Sequence, residues 1–197
     1  MQISGKSQCI SLLKSFFDPL NTIAHHVYLL KHCDIKPDNW IICTHPEFVS
    51  DVMLVDFGRA KELKILADGI SVQTMRGQVA TEGLECVAMR ANDTWSFDVD
   101  TYGLCVCAHT LLFGTYMDII EQGRKWKLKN SLRRYWQTPL WRLLFDTLIN
   151  EPSASIRTHR KCMEGIRLAF EAHLGGRFQE LKHLLSVQTL QLPRKKG

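Results

Sequence analysis

His32-Cys33-Asp34-Ile35-Lys36-Pro37-Asp38-Asn39, followed downstream by Asp56-Phe57-Gly58, is the stretch on which the reading of this chain turns. Between the two motifs, Trp40 to Cys43 and Val52 to Val55 are short β-type runs joined by the turn-rich His45 to Asp51, a pattern that predicts a hairpin. Upstream, apolar residues recur at helical spacing from Cys9 to about Leu30, with a break near Pro19, before the polar loop Lys31 to Asn39. Downstream, periodicity is lost from Asp56 to about Leu84, and loops of this length in compact domains are usually functional. Val99 to Phe113 is apolar nearly all round, which places that helix in the centre of a domain. Pro139 to Ile149, Ser155 to Leu174 and Arg177 to Leu190 read as amphipathic helices; Pro139 suits a first turn and Gly175 a helix end. The expected architecture is a helical domain with one small hairpin at its edge, its core including Leu104, Val106, Leu111, Leu112, Leu143, Leu144, Phe145 and Leu148.

The residue types in the two motifs suit phosphoryl transfer, which needs positioning and charge neutralisation more than covalent help. Asp34 can accept the proton of an attacking hydroxyl, and Lys36 can offset charge on the transferring phosphoryl oxygens. Asn39 and Asp56 offer hard oxygen ligands suited to Mg²⁺, and Gly58 permits the sharp turn that aims Asp56 at the metal. Asp-Phe-Gly alone is a weak signal, because Asp and Gly mark turns everywhere. With the upstream loop, the predicted hairpin between them and the apolar helix beyond, the set matches the signature of protein kinases in its expected context. Ser4-Gly5-Lys6-Ser7 imitates the end of a phosphate-binding P-loop, but no strand and no first glycine precede it.

Composition is that of a soluble globular protein, 45% apolar and 23% charged over 197 residues. No apolar run approaches the length of a membrane-spanning helix, and the start lacks the pattern of a secretory signal, so an intracellular protein is expected. Seven cysteines include no C-x-x-C pair, which points to free buried thiols rather than a zinc site. The formal charge of +5 is concentrated in Arg124, Lys125, Lys127, Lys129, Arg133 and Arg134 and in the Arg194-Lys195-Lys196 tail. That excess reads first as solvated surface, with no direct nucleic-acid role, and secondarily as an aid to docking an acidic partner or a chromatin substrate.

Asp34 to Asn39 in a loop without arginine, Gly83-Leu84-Glu85-Cys86-Val87-Ala88-Met89, Trp95, and Leu112-Phe113-Gly114-Thr115-Tyr116-Met117 together resemble the mitotic spindle-checkpoint kinases of the Bub family. The resemblance is strong from Lys31 to Met117 and looser over the remaining helices. It implies a mainly α, kinase-like C-terminal lobe spanning 1–197, with catalytic loop 32–39, metal-binding turn 56–58, activation segment 56–89 and helical subdomain 97–190. It further implies ATP-dependent phosphorylation of serine or threonine with Mg²⁺, a protein substrate such as a histone tail, and checkpoint and kinetochore partners in the nucleus. Asp34 and Lys36 would be catalytic, and Lys36, Asn39 and Asp56 would bind the cofactor. Thr81 would bond the base and the lysine ahead of the substrate-recognition helix, with His32, Gly58 and Asp100 structural and Asp100 holding the catalytic loop's backbone.

Three departures from the expected kinase pattern accompany the resemblance. Cys33 replaces the usual arginine, so no cation there can pair with a phosphorylated activation loop; the Bub family also lacks that arginine. Ala88 stands where the family has a glutamate paired to a downstream arginine, for which Arg157 is the nearest candidate, and this puts the rigidity of the substrate loop in question. Only 31 residues precede His32, too few for the glycine-rich loop, strand lysine and helix glutamate of an upstream lobe. The isolated chain is therefore expected to be inactive, and the rival reading is a non-catalytic interaction module built on a truncated or degenerate kinase lobe.

Overall fold

A computed structural model describes residues 29–45, 48–150 and 155–175. The helices expected between Cys9 and Leu30 and between Arg177 and Leu190 lie outside these residues, except that Leu29–Lys31 is a strand, β1. The hairpin is β2 (Trp40–His45) and β3 (Phe48–Leu54), antiparallel, with a register irregularity between Cys43 and His45. β4 (Lys61–Leu63) returns to pair with β1, so the segment after Gly58 is tied to the chain just before the His32 to Asn39 loop.

A short helix, α1 (Val87–Arg90), precedes the central helix α2 (Asp98–Phe113). Every residue of α2 from Val99 to His109 is buried, as an all-round apolar helix requires. Gly114, left-handed at φ 75°, stops it by donating its N–H to Thr110 O. A second ribbon follows, β5 (Ile119–Gln122) with β6 (Lys125–Leu128), and then α3 (Thr138–Leu148) and α4 (Ile156–Leu174). Pro139 lies in the first turn of α3, the Ser155 hydroxyl caps α4 by accepting from Thr158 N, and Gly175 ends α4. No helix among the described residues is long and apolar enough to cross a membrane.

The core gathers around α2, with Trp95, Tyr102, Trp141, Phe145 and Phe170 among its fully buried side chains. Two expectations fail. Leu143 is 42% exposed and Leu111 only partly buried. On α3 the inward stripe is Trp141, Leu144, Phe145 and Leu148, and Leu143 falls on the opposite face. Among the described residues, the single expected hairpin is one of three two-stranded sheets.

Candidate active site

The loop Lys31 to Asn39 is fastened to α2. Asp100 accepts the backbone amides of His32 and Cys33, each at 2.9 Å. Cys33 adopts a left-handed φ of 62°, a conformation that costs a non-glycine residue about 1–2 kcal/mol. Two charge-assisted bonds to a buried carboxylate hold it there. Below the loop, Gly103 of α2 presses against Ile35, where a Cβ would stand 2.5 Å from the Ile35 carbonyl oxygen.

Asp34, 6% exposed, is the hub. Thr81 Oγ1 donates to its Oδ1 at 2.6 Å, and Lys36 Nζ lies 3.0 Å from Oδ2 and 3.1 Å from Thr81 Oγ1. Asn39 Nδ2 donates to the Asp34 carbonyl at 2.8 Å and reaches Oδ2 at 3.3 Å, which turns its amide oxygen away from Asp34. Arg59 NH1 stands 3.8 Å from Oδ1 while donating to Val79 O at 3.1 Å. Burial by itself would raise the Asp34 pKa; the bonds from Thr81 and Lys36 and the charges of Lys36 and Arg59 outweigh it and hold the carboxyl below the ordinary range.

Asp56 begins the second motif in a left-handed conformation, φ 63°, and its carboxylate accepts Gly58 N at 3.4 Å, closing an Asx-type turn. The residues on either side bind it to the His32 to Asn39 loop. Val55 N donates to Asn39 O at 2.9 Å, His32 Nε2 bonds Val55 O at 2.8 Å, and His32 meets Phe57 edge-on with ring centroids 4.7 Å apart. Arg59, on the other side, reaches Asp34. The structure thus brings His32, Asp34, Lys36, Asn39, Asp56, Gly58, Thr81 and Asp100 to one place, built on the end of the β2–β3 ribbon and the start of α2.

Among the described residues, no three His, Cys, Asp or Glu side chains converge as a metal-binding group. Asn39 and Asp56 could offer a cation one amide oxygen and one carboxylate. Such a set fits Mg²⁺, which keeps waters and borrows substrate phosphate oxygens.

Arg90, Arg59 and Gly103 belong to this neighbourhood and were not singled out from the sequence. Arg90 fastens α1: its Nε donates to Glu85 O at 2.9 Å and its NH2 to Tyr102 Oη at 2.8 Å on α2. The segment from Glu85 to Arg90 is therefore tied to α2 with alanine at position 88. Arg157, the candidate partner, is exposed and lines a hollow with Ile70 and Arg160, whereas Ala88 lines a different cavity.

The chain is 32% identical over 190 residues to the mitotic checkpoint serine/threonine-protein kinase BUB1 of Arabidopsis thaliana, a match covering 82% of this chain and 35% of that protein. It is 31% identical to the spindle assembly checkpoint serine/threonine-protein kinase BUB1 of Saccharomyces cerevisiae, over 76% of this chain and 16% of the yeast protein. In three dimensions it superposes on the crystal structure of the BubR1 kinase domain with a TM-score of 0.70 and 25% identity, covering 93% of this chain and 54% of that one. The chain belongs to the Bub family. No protein-family model matches it. This Bub-family chain has the fold of a kinase C-terminal lobe, and it spans about a third of the plant relative and about half of the BubR1 kinase-domain chain.

Proposed function

We propose that the Asp34 cluster is the phosphoryl-transfer centre of a spindle-checkpoint serine/threonine kinase, and that 1–197 is the C-terminal lobe of its kinase domain. The observation that carries the reading is the triangle of Asp34, Lys36 and Thr81, closed by contacts of 2.6, 3.0 and 3.1 Å. A carboxylate held ionised beside a lysine and a hydroxyl can take the proton of an incoming serine or threonine, while Lys36 shields the charge on the group in transit. Thr81, at the mouth of the substrate loop, fixes both side chains at the distance such an exchange requires. Asn39 and Asp56 would hold Mg²⁺, which with ATP supplies the phosphoryl group and neutralises its charge. A histone tail is the proposed substrate class, with kinetochore and checkpoint proteins as partners during mitosis, in keeping with the names of the relatives.

The test uses the full-length gene product, radiolabelled Mg-ATP and a histone-tail peptide. Asp34→Asn lowers transfer by about 10³-fold or more, with nucleotide affinity little changed. A wild-type protein that binds Mg-ATP but transfers nothing, or an Asp34→Asn variant as active as wild type, overturns the assignment and leaves the interaction-module reading.

A further inference from the structure

The β5–β6 ribbon has two unlike faces. On β6, Trp126 and Leu128 turn toward the core while Lys125 and Lys127 alternate outward. Across the pair, Ile120 stands opposite Lys127 and is 45% exposed, so the outer face sets an apolar side chain among cations. Arg124, in the turn, adds a third. From Asp118 to Arg134 there are six lysines and arginines against two carboxylates, and Asp118 is already bonded to Lys129 at 2.8 Å. Among the described residues Arg124, Lys125 and Lys127 make no ion pair.

Beside the ribbon a cavity of about 570 Å³ opens toward α1 and the chain around Trp95. Arg124, Lys125 and Trp126 line it together with Ala88 of α1 and Ala91 just beyond that helix. Its carboxylates are engaged from within: Asp93 accepts Thr94 N at 2.6 Å, and Asp98 accepts Ser96 N at 2.6 Å and the Cys86 thiol at 3.2 Å. Asn150 spends its side-chain amide on the backbone of Trp126, accepting its N–H at 2.8 Å and donating to its C=O at 2.9 Å, as a neighbouring strand would. Both carboxylates of the cavity thus already accept hydrogen bonds from the chain around them, whereas Arg124 and Lys125 make no ion pair among the described residues, and Ala88 contributes only a methyl group where a longer side chain would fill space.

We propose that the ribbon and this cavity form a docking site for an extended acidic segment of a partner protein. Glutamate or aspartate side chains would meet Arg124, Lys125 and Lys127, and an apolar side chain would enter beside Trp126 and Ala88. Charge complementarity selects the sign of the partner. A hollow of mixed lining, in which Val87, Ala88, Trp95 and Ile149 stand among polar side chains and two carboxylates, favours a peptide with both acidic and apolar side chains over a phosphate backbone, and three cations on one short ribbon make a smaller footprint than a duplex engages. The surface involves none of the residues around Asp34 and does not depend on transfer.

The probe is a fluorescein-labelled peptide of about ten residues, glutamates around a single leucine, titrated against the full chain by anisotropy at low and at high salt. The expected result is salt-sensitive binding that weakens about tenfold or more in R124E/K125E/K127E and several-fold in A88W, which fills the cavity. K161E, an exposed charge on α4, and Asp34→Asn bind as wild type, so the result stands whether or not the chain transfers phosphate. Circular dichroism checks the fold of each variant, and K127E alone, on the solvent face, replaces the triple variant if that one fails to fold. Unchanged affinity in the folded charge-reversed protein overturns the proposal, as does tighter binding of a duplex oligonucleotide than of the peptide.

Discussion

Replacing Gly103 by alanine tests how the site is positioned, because two known effects oppose each other there. A Cβ at 103 would lie 2.5 Å from Ile35 O and 2.7 Å from Ile35 Cβ, whereas ordinary contact begins near 3.4 Å. Loop and helix must therefore part by about 1 Å. Alanine is favoured over glycine inside a helix by about 1 kcal/mol. Overpacking a well-filled contact costs about 1–3 kcal/mol, and the upper end applies here because the obstacle is backbone that cannot rotate aside. The net expectation is destabilisation by about 1–2 kcal/mol, read from urea denaturation. The same displacement pulls the loop away from Asp100, less than one turn earlier on α2, so exchange of the His32 and Cys33 amides should accelerate about tenfold. In the full-length protein, a 1 Å misplacement of Asp34 lowers transfer by about 10²-fold. A G103A protein that is more stable by about 1 kcal/mol, with unchanged amide protection, would show that helix propensity rules and that α2 does not set the loop.

Three further expectations follow from the same contacts. Thr81→Val removes the 2.6 Å bond to Asp34, so the Asp34 pKa rises in a carboxyl-carbon NMR titration. Since its folded pKa lies below the ordinary value, the stability this group contributes is present above about pH 4 and lost as pH falls, and the variant loses less on acidification; an unmoved titration would contradict the geometry. His109 is buried, stacked on Phe113, with Nδ1 bonded to Thr115 O at 2.8 Å and Nε2 within 3.3 Å of the Asn130 amide. Burial holds its pKa below 6.5 against the Thr115 carbonyl and Asp118, so stability complete above pH 6.5 declines as pH falls below it; His109→Gln should flatten that decline in urea midpoints measured at pH 7.5 and 5.5. Cys33 and Cys107 are buried, with thiols pushed up to about 12, so maleimide mapping by mass spectrometry should label the partly exposed Cys162 ahead of these two, which react only on unfolding; rapid labelling of Cys33 in the native protein would contradict the packing.

What the sequence disclosed follows from which signals are local. Asp34, Lys36 and Asn39 share one short loop and Asp56 closes the next hairpin, so spacing alone grouped them, and the uninterrupted apolar run of α2 announced its burial. The β1–β4 pair left no trace, because two three-residue strands with Lys31 opposite Lys61 carry no alternation to detect. The β5–β6 ribbon did leave one, Trp126 and Leu128 alternating with Lys125 and Lys127 after Gly123-Arg124, but the density of charge masked it as solvated surface. Hydrophobicity alone points Leu143 to the core, but the phase of α3 excludes it. Gly103, inside an apolar helix, had a readable signal: such a glycine commonly marks a close approach. Arg59 and Arg90 act through backbone carbonyls and a tyrosine hydroxyl distant in sequence, and only the folded chain shows those partners.

The departure at Cys33 acquires a physical meaning from its surroundings. Its side chain is 1% exposed, and the nearby cations are Lys31 and Lys61, facing each other across β1 and β4. Lys31 is itself buried, its Nζ 3.8 Å from the Phe97 ring centroid, and Phe97 stacks on His159 of α4. An arginine at 33 would be a further cation in that space, where the carboxylate acting on it, Asp100, is already committed to two amides. The segment 59–79 is instead fastened by contacts that need no phosphate. β4 pairs with β1, Ser71 bridges to Ser155, Met75 to Trp95, Trp95 Nε1 donates to Gly77 O at 2.9 Å, and Arg59 holds Val79 O. A phosphorylated loop must gain its order from an arginine that phosphate attracts. Here the order comes from strand pairing and packing, so a small neutral thiol can occupy position 33 without leaving the segment unanchored.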